Sequence, residues 1–200
     1  RADAEHEADL FWAVKGGGGS FGVVTALEFD LLPIPDVYAG MLLWPAELAA
    51  QVAHRWAEWT RTVPDTVTTS LRLMNFPPMP ELPPFLSGRK LVVIDGAVLG
   101  SDQDAAGLLA PLRALNPEMD TFTRLPAAAL TRIHMDPEGP TPSVSASSLL
   151  GGLPAAAIEA FLAAAGPESG SSVLSAEIRH LGGALSRPSD AALAWLEGDY

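Results

Sequence analysis

The sequence predicts an α+β fold, in which a mostly antiparallel sheet is flanked by helices. Apolar residues make up 48% of the 200 residues, which is enough to form a core that offsets the entropy of ordering the chain. From residue 37 onward, β-branched and aromatic runs alternate with segments of helical spacing. No glycine-rich strand-to-helix turn follows the later strands, so parallel βαβ units are the less favoured alternative.

The first 35 residues have a different pattern from the remainder. Apolar spacing at residues 10–14 predicts one or two helical turns, and the four glycines at 16–19 end them. Residues 23–31 are rich in β-branched and aromatic side chains and predict a strand. Prolines follow this strand directly, so we expect a domain boundary at residues 32–36.

The region after this boundary alternates strands with helices. The strand at residues 90–99 has almost no polar face, so we expect it at the centre of the sheet. The proline-rich residues 77–84 and the segment 134–140 are expected loops. The other predicted strands lie at residues 37–44, 66–76, 119–125 and 173–181, and the predicted helices at 45–61, 101–115, 127–133 and 154–165.

Composition excludes several classes of function. The net charge of -12 and the 12 scattered basic residues argue against nucleic-acid or anionic-membrane partners. The absence of cysteine excludes disulfides and thiolate metal sites, and the four histidines are too far apart for a metal site. No apolar run is long enough to span a membrane, and the charged N-terminus is unlike a signal peptide. A cytoplasmic location is the expectation.

The glycine run is the strongest chemical feature. Four glycines let the backbone approach a flat or phosphorylated ligand, and successive N–H groups can bind anionic oxygens. The run matches neither a dinucleotide fingerprint nor a Walker motif, because a predicted strand follows it rather than a helix. Taken alone, the run leaves open a flexible turn or the phosphate-binding loop of a nucleotide hydrolase.

The residues around the glycines narrow the choice. Residues 9–25 read DLFWAVKGGGGSFGVVT. They resemble the signature DLFWAxRGGGGNFGVVT of berberine-bridge-enzyme-like FAD-linked oxidases, in the vanillyl-alcohol-oxidase superfamily with PCMH-type FAD binding. Lys15 and Ser20 depart from that signature, and both changes are conservative for packing a loop.

The resemblance implies a division into two parts. Residues 1–35 would be the last segment of an FAD-binding domain, and residues 36–200 a substrate-binding domain that is incomplete at its C-terminus. FAD would be the cofactor, accepting hydride from a small organic substrate, with oxygen as the final acceptor. Backbone groups of one stretch would contact FAD: Gly17, Gly18, Gly19, Ser20, Phe21, Gly22, Val23 and Val24.

Two later segments also resemble the family, at residues 134–140 and 176–185. The second belongs, in the family, to the sheet that forms the roof over the flavin ring. Arg179 and His180 are therefore candidate substrate-binding residues, although neighbours on a strand point to opposite faces and only one can face the site. An ion pair between Glu177 and Arg179, which share a face, is the alternative explanation for the arginine.

Other family features are not visible in the sequence. The resemblance implies an upstream loop with a flavin-linked histidine and a C-terminal segment that returns to the FAD domain. We therefore expect a fragment that is inactive alone and that pairs with the missing FAD-domain portion or with itself; a non-catalytic binding module is the alternative. His134 is expected to anchor its loop rather than face substrate, and Asp136 and Glu138 to serve turn formation rather than acid/base chemistry.

Overall fold

The computed structural model describes residues 1–80, 82–136, 139–140 and 142–200. A six-stranded sheet has the order β4-β1-β3-β2-β6, with β5 also pairing with β1. All of the pairings are antiparallel, which confirms the α+β prediction and rules out the parallel alternative. The strands are β1 (Asp36–Pro45), β2 (Val67–Asn75), β3 (Lys90–Val98), β4 (Met119–Asp120), β5 (Thr123–Pro126) and β6 (Ser175–Arg179).

The helices lie close to their predicted positions. Ser101 caps the third helix as expected, because its Oγ accepts a hydrogen bond from the backbone N–H of Asp104 at 3.1 Å. The helices are α1 (Ala8–Val14), α2 (Ala49–Thr60), α3 (Asp102–Arg113) and α4 (Ala155–Ala165), and 3₁₀ turns lie at Gly18–Phe21, Ala46–Leu48, Ala127–Arg132 and Gly183–Ser186.

One face of the sheet and the helices α2, α3 and α4 share the main core. Trp44 and Trp56 are fully buried there, together with apolar side chains of the central strand β3. The buried indoles keep their hydrogen bonds: Nε1 of Trp56 donates to Thr69 Oγ1 at 3.0 Å, and Nε1 of Trp44 donates to the Leu115 carbonyl at 3.1 Å. These bonds offset the cost of removing a polar N–H group from water.

The opposite face of the sheet has two different halves. A smaller apolar cluster forms around Met41, Leu43 and Val93, where Leu86 from the proline-rich loop covers the strands. The other half carries charged and hydroxyl side chains, including the buried residues Arg72 and Asp95. The helices therefore cover one face, and the second face is left partly polar.

The predicted strand at residues 23–31 is wrong for this structure. These residues form no strand, and Val23 and Leu31 are 91% and 85% exposed. A β-strand needs a neighbouring strand to accept and donate its backbone hydrogen bonds, and no described strand lies alongside this segment. The residues before it do have contacts, since the N–H of Ala192 donates to the Trp12 carbonyl at 3.3 Å.

Candidate functional site

The register of the sheet brings polar side chains from three strands together on the face that lacks helices. Ser70 of β2 lies opposite Asp95 of β3 on one side and Arg179 of β6 on the other, and Arg72 lies opposite Glu177. Directly opposed residues in a sheet point to the same face. Together with His134, which follows the 3₁₀ turn Ala127–Arg132, these residues make up what we call the polar cluster: Ser70, Arg72, Asp95, His134, Glu177 and Arg179.

Asp95 and Arg72 form the buried centre of the polar cluster. Asp95 is 1% exposed, accepts a hydrogen bond from Ser70 Oγ at 2.8 Å on Oδ1, and forms an ion pair through Oδ2 with Nη2 of Arg72. Nε of Arg72 is buried without an acceptor among the described residues. Removing charges from water is costly unless they are paired, so this pair holds both side chains in one geometry.

His134 lies at the edge of this buried pair. Its Nε2 is 3.5 Å from Oδ1 of Asp95, and 37% of its side chain is exposed. Nη1 of Arg72 donates to the His134 carbonyl oxygen at 3.2 Å, so the backbone of this loop is held to β2, while the predicted role of the His134 side chain stays a prediction. Asp136 is described, but Pro137 and Glu138 lie outside the described residues, so the pairing of Asp136 with Glu138 stays untested.

Glu177 and Arg179 form the ion pair that the sequence predicted. Nε and Nη2 of Arg179 donate to the two carboxylate oxygens of Glu177 at 2.9 and 3.2 Å. Burial raises the pKa of Glu177, but the Arg179 guanidinium outweighs it and holds that pKa below its ordinary value. Arg179 is 68% exposed, so its guanidinium remains accessible to a ligand.

His180 lies on the opposite face from Arg179, within the layer that the helices cover. Its ring is 5.7 Å from the ring of Tyr200, whose hydroxyl is 2.6 Å from Oγ1 of Thr60. Burial lowers the pKa of His180, and its Nδ1 has no partner among the described residues. His180 is therefore not part of the polar cluster, and its role in substrate binding stays a prediction.

An open cleft lies next to the polar cluster. Residues 146–148, Phe161 of α4 and Glu177 of β6 border it, and its volume is about 540 Å³. Clefts that bind small organic molecules are typically ~300–1,000 Å³. Of the polar cluster, Glu177 borders this cleft, while Ala157, Phe161 and Ile178 of its lining belong to the core on the helix-covered face.

The glycine segment, residues 16–24, presents bare backbone to the surroundings. Gly16, Gly18 and Gly22 have positive φ angles of 95°, 73° and 142°, which glycine adopts without strain. A Cβ atom at Gly18, Gly19 or Gly22 would meet nothing within 4 Å, whereas one at Gly17 would lie 2.2 Å from the Ala13 carbonyl oxygen. The main chain at Gly18, Gly19 and Gly22 is therefore open to a ligand, whereas the side chains of Leu193 and Phe21 lie against Gly16 and Gly17.

The structure does not bring the glycine segment and the polar cluster together through contacts. No hydrogen bond or ion pair joins them among the residues that the structure describes. The predicted cofactor contacts at residues 17–24 therefore stay predictions, and only Arg179 of the predicted substrate residues belongs to the polar cluster.

The sequence analysis missed Ser70, Arg72 and Asp95. The available signal was a charged residue inside a strand that is otherwise apolar, as in SLRLM around Arg72 and VVIDG around Asp95. Charged residues are rarely buried unless they are paired, and buried pairs concentrate at functional sites.

The described residues contain no group of three or more His, Cys, Asp or Glu side chains placed to hold a metal ion. None of the helices described here is long and apolar enough to cross a membrane.

Sequence comparisons link the chain to known proteins. No family model matches it. The uncharacterized FAD-linked oxidoreductase YgaK of Bacillus subtilis is 38% identical over 64 residues, which are 32% of this chain and 14% of that protein. The uncharacterized FAD-linked oxidoreductase YvdP of the same organism is 31% identical over 145 residues, 70% of this chain and 30% of YvdP. Berberine bridge enzyme-like 2 of Arabidopsis thaliana is 39% identical over 51 residues, 24% of this chain and 10% of that protein.

A solved structure extends the likeness to most of the chain. A chitooligosaccharide oxidase matches 96% of this chain and 41% of its own, with a TM-score of 0.62 and 19% sequence identity. The TM-score shows that the two chains share a fold. The chain spans a third or less of the length of the three relatives above, so its matches cover only part of each protein.

Proposed function

We propose that the chain is part of an FAD-dependent oxidoreductase. It is related to FAD-linked oxidoreductases of the berberine-bridge type, and this relationship supports FAD as its cofactor and a small molecule as its substrate. This enzyme oxidises a small organic substrate by hydride transfer to flavin, with oxygen as the final acceptor. The observation that carries the proposal is that one chain combines two features. The first is a glycine segment with exposed backbone, within the flavin-type signature, and the second is a sheet whose polar cluster borders an open cleft.

Residues 1–35 are proposed to belong to the FAD-binding domain and residues 36–200 to the substrate-binding domain. The backbone of residues 17–24 then lies against FAD. Residues 23–31 become a strand by pairing with the rest of the FAD domain, which is supported by their exposed apolar side chains and by backbone N–H groups that have no partner among the described residues.

The polar cluster is proposed to bind the substrate. Arg179 offers an exposed guanidinium, and the buried pair of Arg72 and Asp95 gives the site a fixed floor. FAD, when bound, supplies the two-electron acceptor. The protein residues bind the substrate, orient it and accept its proton.

The binding partners that we propose are based on the net charge of the chain and on residues 23–31, which pair with no described strand. A net charge of -12 is unsuited to nucleic acid or to anionic membrane surfaces. The exposed stretch 23–31 favours pairing with the remaining FAD-domain portion over self-association, because its sequence resembles a strand of that domain. A cytoplasmic location remains part of the proposal.

The test uses the full-length natural protein and a matched pair of glycine substitutions. Gly19→Leu puts a side chain on the proposed FAD surface, and Gly107→Leu puts the same side chain on an exposed position of α3; neither Cβ meets an atom within 4 Å. Titration of FAD, followed by flavin absorbance and fluorescence quenching, should give at least a tenfold higher Kd for Gly19→Leu and an unchanged Kd for Gly107→Leu. Equal binding in both variants, or no binding by the unmodified protein, contradicts the proposal.

Activity is measured on the same preparations. Hydrogen peroxide production should be followed with a panel of chitooligosaccharides, other oligosaccharides and a benzylic alcohol, since one matched structure is a chitooligosaccharide oxidase. Peroxide formed with at least one member, and lost together with FAD in Gly19→Leu, supports an oxidase. Bound flavin that none of these substrates reduces contradicts hydroxyl oxidation.

A further inference from the structure

We propose that His134 is a catalytic residue that accepts the hydroxyl proton of an alcohol substrate, and that Asp95 is the residue that positions it. This inference rests on the proposed function, because it assigns a role within the same oxidation. Within the polar cluster, His134 is the basic side chain that is partly exposed and is not held in a tight ion pair.

The other members of the polar cluster are already occupied. The two carboxylate oxygens of Glu177 accept hydrogen bonds from Arg179, and the Asp95 carboxylate is buried against Ser70 and Arg72. Arginine stays protonated and cannot accept a proton. His134 has an exposed ring, and its Nδ1 accepts no hydrogen bond from any residue that the structure describes.

Asp95 is well suited to orient the imidazole. It lies on the central strand β3, and Ser70 and Arg72 hold its carboxylate on two sides. Oδ1 of Asp95 is 3.5 Å from Nε2 of His134, which places the carboxylate beside this ring nitrogen. A buried carboxylate facing one ring nitrogen favours the tautomer with the proton on that nitrogen.

Arg72 connects the position of the loop to the position of the carboxylate. One terminal nitrogen of Arg72 pairs with Asp95, and the other donates to the His134 carbonyl oxygen. The backbone of His134 and its acidic partner are therefore held by the same guanidinium. This arrangement fixes the backbone of His134 relative to Asp95 although His134 lies in a loop.

The proposed step balances for a secondary or primary alcohol. The O–H proton would move to Nδ1 of His134, and the C–O bond would become a carbonyl as the C–H hydrogen leaves as hydride. FAD, when bound, would accept the hydride and its two electrons and would pass the electrons on to oxygen. His134 becomes a cation, which the nearby Asp95 and Glu177 carboxylates stabilise.

The charged groups that face His134 come from all three polar strands. Asp95 on β3 and Glu177 on β6 are the negatively charged neighbours of His134, and Arg72 on β2 is a positively charged one. Within its own loop, Asp136 interacts with Arg179. A proton transferred from the substrate to His134 would therefore lie near the carboxylates of Asp95 and Glu177 and near the Arg72 guanidinium.

The first test needs no flavin. Long-range ¹H–¹⁵N correlation spectra of the chain report the tautomer of each of its four histidines, and single His→Gln substitutions assign the signals. His134 should be in the Nε2–H form when neutral, with Nδ1 free. The Nδ1–H form would overturn the proposal whatever the flavin result, because that nitrogen could then accept no proton.

The second test uses the FAD-loaded full-length protein and the best-oxidised alcohol of the panel. His134→Gln should slow anaerobic flavin reduction about 10²-fold or more, leave the Kd for FAD unchanged and remove a pH dependence in which reduction speeds up as His134 loses its proton. His54→Gln, the same change on α2, should match the unmodified protein.

If His134→Gln keeps the wild-type rate and pH profile, His134 is not the proton acceptor. Failure to bind FAD or to oxidise any alcohol would instead refute the proposed function, while the tautomer still tests the His134–Asp95 geometry.

Discussion

Residues 1–35 and residues 36–181 are both rich in apolar side chains, yet they behave in opposite ways. In the second region the largest apolar side chains are buried between the sheet and the helices. In the first region Val23, Leu27 and Leu31 are exposed, and their backbone has no strand to pair with among the described residues. The contrast shows that β-type sequence forms a strand only where a neighbouring strand completes its hydrogen bonds.

This difference also separates two kinds of contribution to function. The sheet region forms the polar cluster from its own residues, because the pairing register of β3, β2 and β6 places five of its six members side by side. The first region offers exposed backbone and apolar surface, which suit contact with another component. The predictions below test that division, beginning with the largest effect.

Loss of a large core side chain should separate the two regions most clearly. Trp56→Ala removes a fully buried indole that packs in the main core, and it should lower the free energy of unfolding by ~3–5 kcal/mol. Phe29→Ala removes an exposed ring and should change it by less than ~0.5 kcal/mol. Urea unfolding followed by tryptophan fluorescence and far-UV circular dichroism measures both; similar losses would show that residues 23–31 are packed.

Breaking the buried ion pair should have the next largest effect. Asp95→Ala leaves the Arg72 guanidinium buried without its carboxylate, so unfolding should become easier by ~3–5 kcal/mol. Asp65→Ala, which breaks an exposed pair with Arg187, should have a far smaller effect on the same measurement. Equal effects would indicate that Asp95 is solvated rather than buried.

His180 should make stability depend on pH within the packed region. Burial lowers its folded pKa below the ordinary value of 6.5, so the unfolded chain binds the proton more readily. The stabilising contribution is present above about that value and is lost as the pH falls through the lower folded pKa. Thermal unfolding at pH 7.5 and 5.0 should show a smaller drop in Tm for His180→Phe than for the unmodified chain.

The control for His180 is His54, which is partly exposed on α2. His54→Phe should keep the unmodified pH dependence of Tm. An identical drop in Tm for the unmodified chain and His180→Phe would mean that the imidazole is hydrated in the folded state.

The smallest predicted effect concerns two exposed glycines. Gly107→Ala, within α3, should raise the free energy of unfolding by ~0.5–1 kcal/mol, because alanine loses less backbone freedom in a helix. Gly19→Ala, in the glycine segment, should change it less, since that segment contributes little to the core. A larger gain at Gly19 than at Gly107 would reverse the comparison.

Local signals in the sequence predicted most of the fold. The Ser101 cap and the continuous apolar run of β3 depend on neighbouring residues, and both were confirmed. The single strand predicted at residues 119–125 is instead divided into β4 and β5. Between them, the Phe122 backbone lies so close to Gly40 that a Cβ atom on Gly40 would be 2.6 Å from it. Such a close approach is a long-range property that the local sequence does not encode.

Fewer residues of the candidate site than of the fold could be predicted from the sequence. Arg179 was found through its family segment, and its ion pair with Glu177 follows from their spacing on one strand. Asp95 and Arg72 lie 23 positions apart in the sequence, and their contact depends on the register of β2 against β3. Reading that register required the structure, whereas the charges inside apolar strands were visible beforehand.

Hydrogen–deuterium exchange of the full-length protein, with and without FAD, tests the central claim most directly. If the glycine segment lies against the cofactor, FAD should slow amide exchange at residues 17–24 and leave the already protected amides of β3 unchanged. If FAD binds and the exchange of residues 17–24 does not change, the glycine segment is not the cofactor contact and the assignment of this chain to a flavin site is contradicted.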